Sequence, residues 1–361
     1  MTGKKTVKTK YEELKLTLEE ALEKGDKLAI ELHKIPDPDA MAAGLFIYEL
    51  TKAMGYKPTI THQGRLSHPQ NIVMARKLDI PLNCYGINGE ESLNPENFDS
   101  FIYVDHSGSN SYWHSEGKIP EDKLIGIIDH HELSEKHSDN LFIDKRKVGA
   151  VSSILAEYLK DGAQEEYFAE EEKLKKISSA LFLGIRSDTR TLKRDVDILD
   201  STMHAYLWDH VDMNLVDGIE DLDWSTEWFD RYGRAINQRK SKNGVTVASV
   251  GYIEAEERDV IPIVADQLIR ERSIQTVYVF GIRPDVIDFS IRTRDPTYIF
   301  ETLKEVFEPL SAGGREGTGG MQLTNPFTGF FSPDSKTEKT TNESIIRAKI
   351  EKTIFHEEDK E

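Results

Sequence analysis

Short apolar runs with the period of a strand alternate with helical patterns through the first half of the chain, and this alternation restricts the fold more than any other feature. Residues 27–33 read as a strand, the segment Pro36-Asp37-Pro38-Asp39 turns the chain, and a helix follows over about 40–54. The alternation continues with a strand near 57–62, a helix near 69–78, and strands at 100–105 and 124–129. Strands that alternate with helices pair in parallel through crossovers, so the expected fold is α/β, a mostly parallel sheet with helices on both faces. A further amphipathic helix precedes it over 11–24, where Leu14, Leu18 and Leu22 recur every four positions.

Helical patterns also cover 149–160 and 171–185, and Arg186-Ser187-Asp188-Thr189 is expected to break the second into a turn. An acidic, helix-prone connection over 196–240 leads to a smaller α/β unit. Its expected elements are strands at 245–253, 276–282 and 286–292, helices at 264–272 and up to about 307, and a glycine-rich loop at 313–320. The resulting partition is a tail and helix at 1–24, a first domain at 25–195, the connection at 196–240, a second domain at 241–331, and a polar tail at 332–361 with a short helix over about 345–354.

A length of 361 residues suffices for two cores. Lys+Arg 46 against Asp+Glu 64 gives −18, which repels long nucleic acid and excludes a protein that coats it. The single Cys84 can form neither an internal disulfide nor a thiolate metal cluster. No apolar run approaches the ~20 residues of a membrane span, so a cytoplasmic protein with no membrane partner is expected.

The chemistry gathers where the expected strands end. In a parallel sheet the carboxyl ends share one edge, which brings together residues distant in sequence. His33, Asp37 and Asp39 follow the first strand, Asp105 ends another, Asp129-His130-His131 ends the next, and Asp188 can reach the same edge. Crowded carboxylates need compensating positive charge. Imidazole and carboxylate without thiolate suit Mn²⁺, Co²⁺, Zn²⁺ or Mg²⁺, and about seven candidate ligands exceed the needs of one ion, which implies two. Each group also has a plainer reading: Asp37 and Asp39 as turn formers and a helix N-cap, Asp129-His130-His131 as a solvated loop, and Asp188 as another cap.

Taken together, four ordered motifs resemble the DHH phosphoesterase superfamily: His33 with Asp37 and Asp39, Val104-Asp105-His106, Asp129-His130-His131, and Ser187-Asp188-Thr189. The resemblance implies two divalent ions, Mn²⁺ first with Mg²⁺ or Co²⁺ as substitutes. His33 and Asp37 would hold one, Asp39, His130 and Asp188 the other, and Asp105 would bridge them. Asp129 would orient its neighbours, His131 would face the scissile phosphate, and His106 would serve either as a supporting hydrogen-bond partner or as a buried core histidine. His62, His68, His114 and His137 are read as surface or packing residues.

The second half resembles a DHH-associated domain. Ser290 and Arg292 lie on its substrate-facing strand, and Gly313, Gly314 and Arg315 in its glycine-rich loop, where Ala312 replaces a glycine and Arg315 the usual histidine. The implied activity is hydrolysis of short oligonucleotides, in the manner of a nanoRNase that also acts on 3′-phosphoadenosine phosphate. The alternatives are a cyclic or linear dinucleotide phosphodiesterase, a RecJ-like single-strand DNA exonuclease, or an inert nucleotide-binding scaffold. Relatives of this kind often form homodimers.

Overall fold

Two six-stranded sheets organise the chain, and its contacts divide it into two units, Met1–Leu222 and Asp223–Glu361. The computed structural model describes residues 8–355 apart from 65, 67, 87–92, 109–110, 133–137, 139, 164, 222–224, 255–256, 296–302, 304–306, 308, 316 and 329–335. His137 and most of the helix expected to end near 307 lie outside the described residues. Among the described residues, no helix is long and apolar enough to cross a membrane.

In the first unit the elements run α1 (Lys10–Ala21), β1 (Lys27–Glu31), α2 (Pro38–Ala53), β2 (Lys57–Gln63), α3 (Pro69–Lys77), β3 (Leu82–Tyr85), β4 (Ser100–Val104), α4 (Tyr112–Ser115), β5 (Leu124–Asp129) and β6 (Phe142–Lys145). Four helices follow: α5 (Val151–Asp161), α6 (Glu171–Asp188), α7 (Ile198–Trp208) and α8 (Met213–Glu220). The strand order is β3-β2-β1-β4-β5-β6, and every pairing is parallel. Alternation within β1 explains the layering. Leu28 and Ile30 enter one core with Phe46, Tyr158 and Phe182, whereas Ala29 joins Tyr85, Phe101, Tyr103 and Trp113 in a second core on the opposite face. Because β1 pairs with both β2 and β4, the direction of winding reverses between β1 and β4, and a crevice opens at their carboxyl ends.

The second unit comprises α9 (Thr226–Gln238), β7 (Lys240–Lys242), β8 (Val245–Tyr252), α10 (Val260–Leu268), β9 (Thr276–Ile282), β10 (Val286–Thr293), β11 (Ser311–Arg315), β12 (Thr318–Thr324) and α11 (Lys336–Phe355). Its order is β11-β12-β10-β9-β8-β7, antiparallel except for β8 with β9.

Several sequence expectations need correction. Asp188 is the last residue of α6 rather than part of a turn after it, because Arg186 and Ser187 continue the helix and the break comes at Thr189. The short strands β3 and β6 were not expected, since four residues with no clear alternation carry little periodic signal. The segment 313–320 is not a loop: Gly313, Gly314 and Arg315 pair with Gly320, Gly319 and Thr318 across a hairpin whose turn uses Gly317 at φ +73°. Glycine backbones complete a ladder as well as any others, so composition alone misled. The last helix begins at Lys336, where polar residues are held in register by Ile346, Ile350 and Phe355 packing into the second unit's core.

Candidate metal centre

The acidic and histidine residues of the first unit converge at the crevice between β1 and β4. His33 lies two residues beyond β1, and Asp37 caps α2, its Oδ1 accepting the backbone N–H groups of Asp39 and Ala40 at 3.0 Å each. The capping role and a place at the site coexist, since the same Oδ1 stands 3.9 Å from His33 Nε2. Asp39, one residue into α2, is fully buried and accepts the amides of Val151 at 2.7 Å and Ser152 at 2.9 Å, the first turn of α5. Asp129 ends β5, and its Oδ1 accepts from the amides of His130 and His131 and from His131 Nδ1 at 2.8, 3.0 and 2.9 Å.

Asp105 stands at the centre. Its Oδ2 is 3.5 Å from His33 Nε2, and its Oδ1 is 3.4 Å from His130 Nε2 and 3.7 Å from His131 Nδ1. His130 Nε2 is also 3.6 Å from Asp188 Oδ2 and 4.0 Å from Asp39 Oδ2. The donors form three groups whose ligand atoms lie within 4.8 Å of one another: His33 with Asp37 and Asp105, Asp39 with His130 and Asp188, and Asp105 with His130 and His131. Donors around an octahedral ion with bonds of about 2.1 Å sit roughly 3 Å apart along each edge, so a small contraction would close these groups on a cation.

The electrostatics ask for one. Burial opposes charging His33 and His130, yet the carboxylates facing them raise each imidazole to about 10. Burial likewise raises Asp39 well above the usual carboxylate range, and the charges of Asp105 and Asp188 add to this. Asp105 goes the other way: burial would raise it, but the two imidazoles hold it well below that range. The hydrogen bond to Asp129 raises His131. Among the described residues, Asp105 Oδ1, Asp129 Oδ2 and His130 Nε2 are buried without a hydrogen-bond partner. His130 donates Nδ1–H to the Val148 carbonyl at 3.0 Å, which directs Nε2 at the carboxylates. Orphaned buried oxygen and nitrogen lone pairs in one place are a fitting donor set for hard divalent cations.

Sequence reasoning missed some supports of this geometry. Asp200 of α7 is fully buried and accepts the Gly149 amide at 2.8 Å and Ser153 Oγ at 2.5 Å, fixing the segment whose Val148 carbonyl holds His130. Glu31, the last residue of β1, is fully buried and accepts hydroxyls from Thr61, Tyr85 and Ser111. Burial raises its carboxyl to about 7. His106 is buried and lowered by burial to about 4, hence neutral. His62, read as a surface or packing residue, is buried.

In the second unit Arg292 is engaged rather than open. Its Nε and Nη2 reach the Asp266 carboxylate at 2.6 and 3.3 Å, and its Nη1 donates to Ser290 Oγ at 2.8 Å. Gly313, Gly314 and the backbone of Arg315 lie in β11, and the Arg315 side chain is outside the described residues.

Comparison with known proteins agrees with this architecture. Residues 27–185 match the DHH family, N-terminal domain. An uncharacterized protein of Methanocaldococcus jannaschii is 32% identical over 94% of this chain and 66% of its own length. A probable manganese-dependent inorganic pyrophosphatase of Streptococcus pyogenes is 26% identical over 53% of this chain and 58% of its own. The chain thus spans less than two thirds of each of these relatives. An exopolyphosphatase-related protein from Bacteroides fragilis has the same fold, with a TM-score of 0.64 at 14% identity over 97% of this chain and 98% of that one. The matched segment, residues 27–185, holds three of the four motifs on one sheet edge, with Ser187-Asp188-Thr189 just beyond it, and this part of the chain is a DHH family N-terminal domain.

Proposed function

We propose that this protein is a divalent-metal-dependent phosphoester hydrolase that uses two ions, Mn²⁺ first, and cleaves short oligonucleotides. The observation that carries the reading is Asp105, whose two oxygens address different imidazoles, Oδ2 towards His33 and Oδ1 towards His130. A carboxylate shared in this way is what a bridged pair of cations requires. We assign His33 and Asp37 to one ion, Asp39, His130 and Asp188 to the other, and Asp105 to both. When bound, such ions lower the pKa of water and offset charge on a phosphoryl group.

The chain's own residues do the rest. Asp129 accepts from His131 Nδ1–H and favours the protonated ring, whose Nε2–H can then donate to a phosphoryl oxygen as its charge grows. The amides of α5 hold Asp39 in place, so the site is organised before substrate arrives. The second unit enters the proposal through Ser290 and Arg292, whose guanidinium would exchange the Asp266 carboxylate for a substrate phosphate, and through the backbone of Gly313 and Gly314 with Arg315. A second reading, hydrolysis of inorganic pyrophosphate, is favoured by the similarity to the streptococcal protein.

The test is a hydrolysis panel under Mn²⁺ and under EDTA: a dinucleotide, a five-residue RNA, a longer single-stranded DNA, cyclic di-AMP, 3′-phosphoadenosine phosphate and pyrophosphate. Release of mononucleotide from the dinucleotide with Mn²⁺ alone is expected, and Asp105→Asn should lower it by at least about a thousandfold while the fold survives. Turnover of pyrophosphate alone favours the second reading. Activity unaffected by EDTA, or retained by Asp105→Asn, overturns both.

A further inference from the structure

Asp105 is one of few non-glycine residues in the left-handed region, with φ +63°. That conformation costs about 1–2 kcal/mol in an L-residue and persists only where its surroundings impose it. On the amino side they are plain, because the Asp105 amide donates to the Ile128 carbonyl at 2.9 Å and extends the β4–β5 ladder by one bond. On the carboxyl side the restraint is the His106 ring. Gly108 N–H donates to His106 Nδ1 at 3.0 Å, so Nδ1 carries the lone pair and Nε2 the hydrogen. Nε2–H is then directed at the Glu31 backbone carbonyl, 2.9 Å away at the end of β1. The ring stacks on Tyr103, with centroids 4.8 Å apart and planes inclined by 29°.

Glu31 is itself immobilised by hydroxyls from Thr61, Tyr85 and Ser111. The register of β1 on β4 ends at Glu31 opposite Tyr103. Beyond that point the imidazole continues the connection that backbone bonds no longer make. The turn closes at Gly108, whose φ of +114° and whose approach to the His114 ring, 2.8 Å from where a Cβ would stand, demand glycine.

We infer that His106 is a positioning residue: by tying the chain after β4 to the Glu31 carbonyl and the Gly108 amide, it holds Asp105 in the left-handed conformation that lets one carboxylate face both donor groups. The inference rests on the metal-centre reading above. It differs from a core histidine in a measurable way, since a core histidine supports stability whereas a positioning residue also sets how well Asp105 captures a cation.

The test uses the full chain as wild type, His106→Ala, His106→Gln and His106→Asn. Each is titrated with Mn²⁺ by calorimetry and unfolded in urea after EDTA stripping. Glutamine places an N–H near the Nε2 position and asparagine does not. Loss of the brace should weaken Mn²⁺ binding about 10–100-fold in the Ala and Asn variants, the usual effect of removing a partner that orients a ligand, with the Gln variant at least tenfold tighter than the Asn variant. Wild-type Mn²⁺ affinity in a folded Ala variant overturns the inference, as does equal affinity in the Gln and Asn variants. If the Ala variant does not fold, the Gln–Asn pair decides alone. A wild-type protein that binds Mn²⁺ and hydrolyses substrate beside an unaffected Ala variant sinks only this inference. A wild-type protein that binds no Mn²⁺ sinks the proposed function and takes the inference with it.

Discussion

Replacing Gly184 by alanine sets two well-calibrated effects against each other. In an ordinary helix interior the change stabilises by about 1 kcal/mol, because alanine loses less backbone entropy. Gly184, however, faces α2 and α5 one turn before Asp188, and a Cβ there would lie 2.1 Å from Ser152 Oγ, 3.0 Å from Ser152 Cβ and 3.0 Å from Asp39 Oδ1. Rotating the serine hydroxyl relieves only the first of these contacts. Overpacking of this kind costs about 1–3 kcal/mol, and displacing Asp39 strains its bonds to the Val151 and Ser152 amides by a further ~1 kcal/mol. Subtracting the propensity gain leaves a loss of about 1–3 kcal/mol, or roughly 2–10 °C in Tm for a unit of this size. Because the shift moves Asp39 and Asp188 together, Mn²⁺ affinity should fall by about tenfold or more. Urea unfolding under EDTA and calorimetric Mn²⁺ titration read the two effects separately. A Gly184→Ala variant more stable than wild type, with undiminished Mn²⁺ affinity, would refute the claim that α6 is held against Asp39 at its contact limit.

Asp200→Ala should leave the buried Gly149 amide without an acceptor and cost about 3 kcal/mol. It should also weaken Mn²⁺ binding, since Gly149 follows the Val148 carbonyl that orients His130; destabilisation with unchanged Mn²⁺ affinity would show that this segment does not position the imidazole. Glu31 supplies a pH signature: its carboxyl is raised to about 7 in the fold from 4.5, so the native state binds the proton more tightly than the unfolded chain. Stability from this group is fully present below about pH 4.5 and is lost as pH rises through 7, by about 3 kcal/mol in total. Glu31→Gln should flatten that slope in urea unfolding under EDTA, and a slope unchanged by the substitution would place the titration elsewhere.

The strand–helix alternation made most of the first sheet legible because β1, β2, β4 and β5 were long enough to display their period, whereas β3 and β6 were not. Motif residues at strand ends were legible for the same reason, since parallel strands place those ends on one edge. What stayed hidden depends on partners far away in sequence. Nothing around Glu31 marks it as buried; it reads as the polar position of a strand until Thr61, Tyr85 and Ser111 are brought to it. Asp200 and Gly149 are likewise 51 residues apart. The end of α6 was misplaced because Arg190, Thr191 and Leu192 all adopt positive φ without a glycine to announce it. Asp37 shows that the structural and chemical readings of one residue are not exclusive: one oxygen caps α2 and lies beside His33.

Those caps also explain how one edge tolerates so many carboxylates. Asp37 accepts two amides at the start of α2, Asp39 two at the start of α5, and Asp129 two in the turn after β5, so backbone dipoles offset part of each charge. Among the described residues, Asp105 Oδ1 has no such donor, and the atom facing it at 3.4 Å, His130 Nε2, is also without a hydrogen-bond partner. Without a cation, a proton on the imidazole is the available positive charge, which is why His130 rises to about 10 despite its burial. A divalent ion supplies more charge at the same place and needs the imidazole neutral, so uptake of metal must displace that proton. The backbone has therefore balanced the outlying carboxylates and left the imbalance at the point between Asp105 and His130.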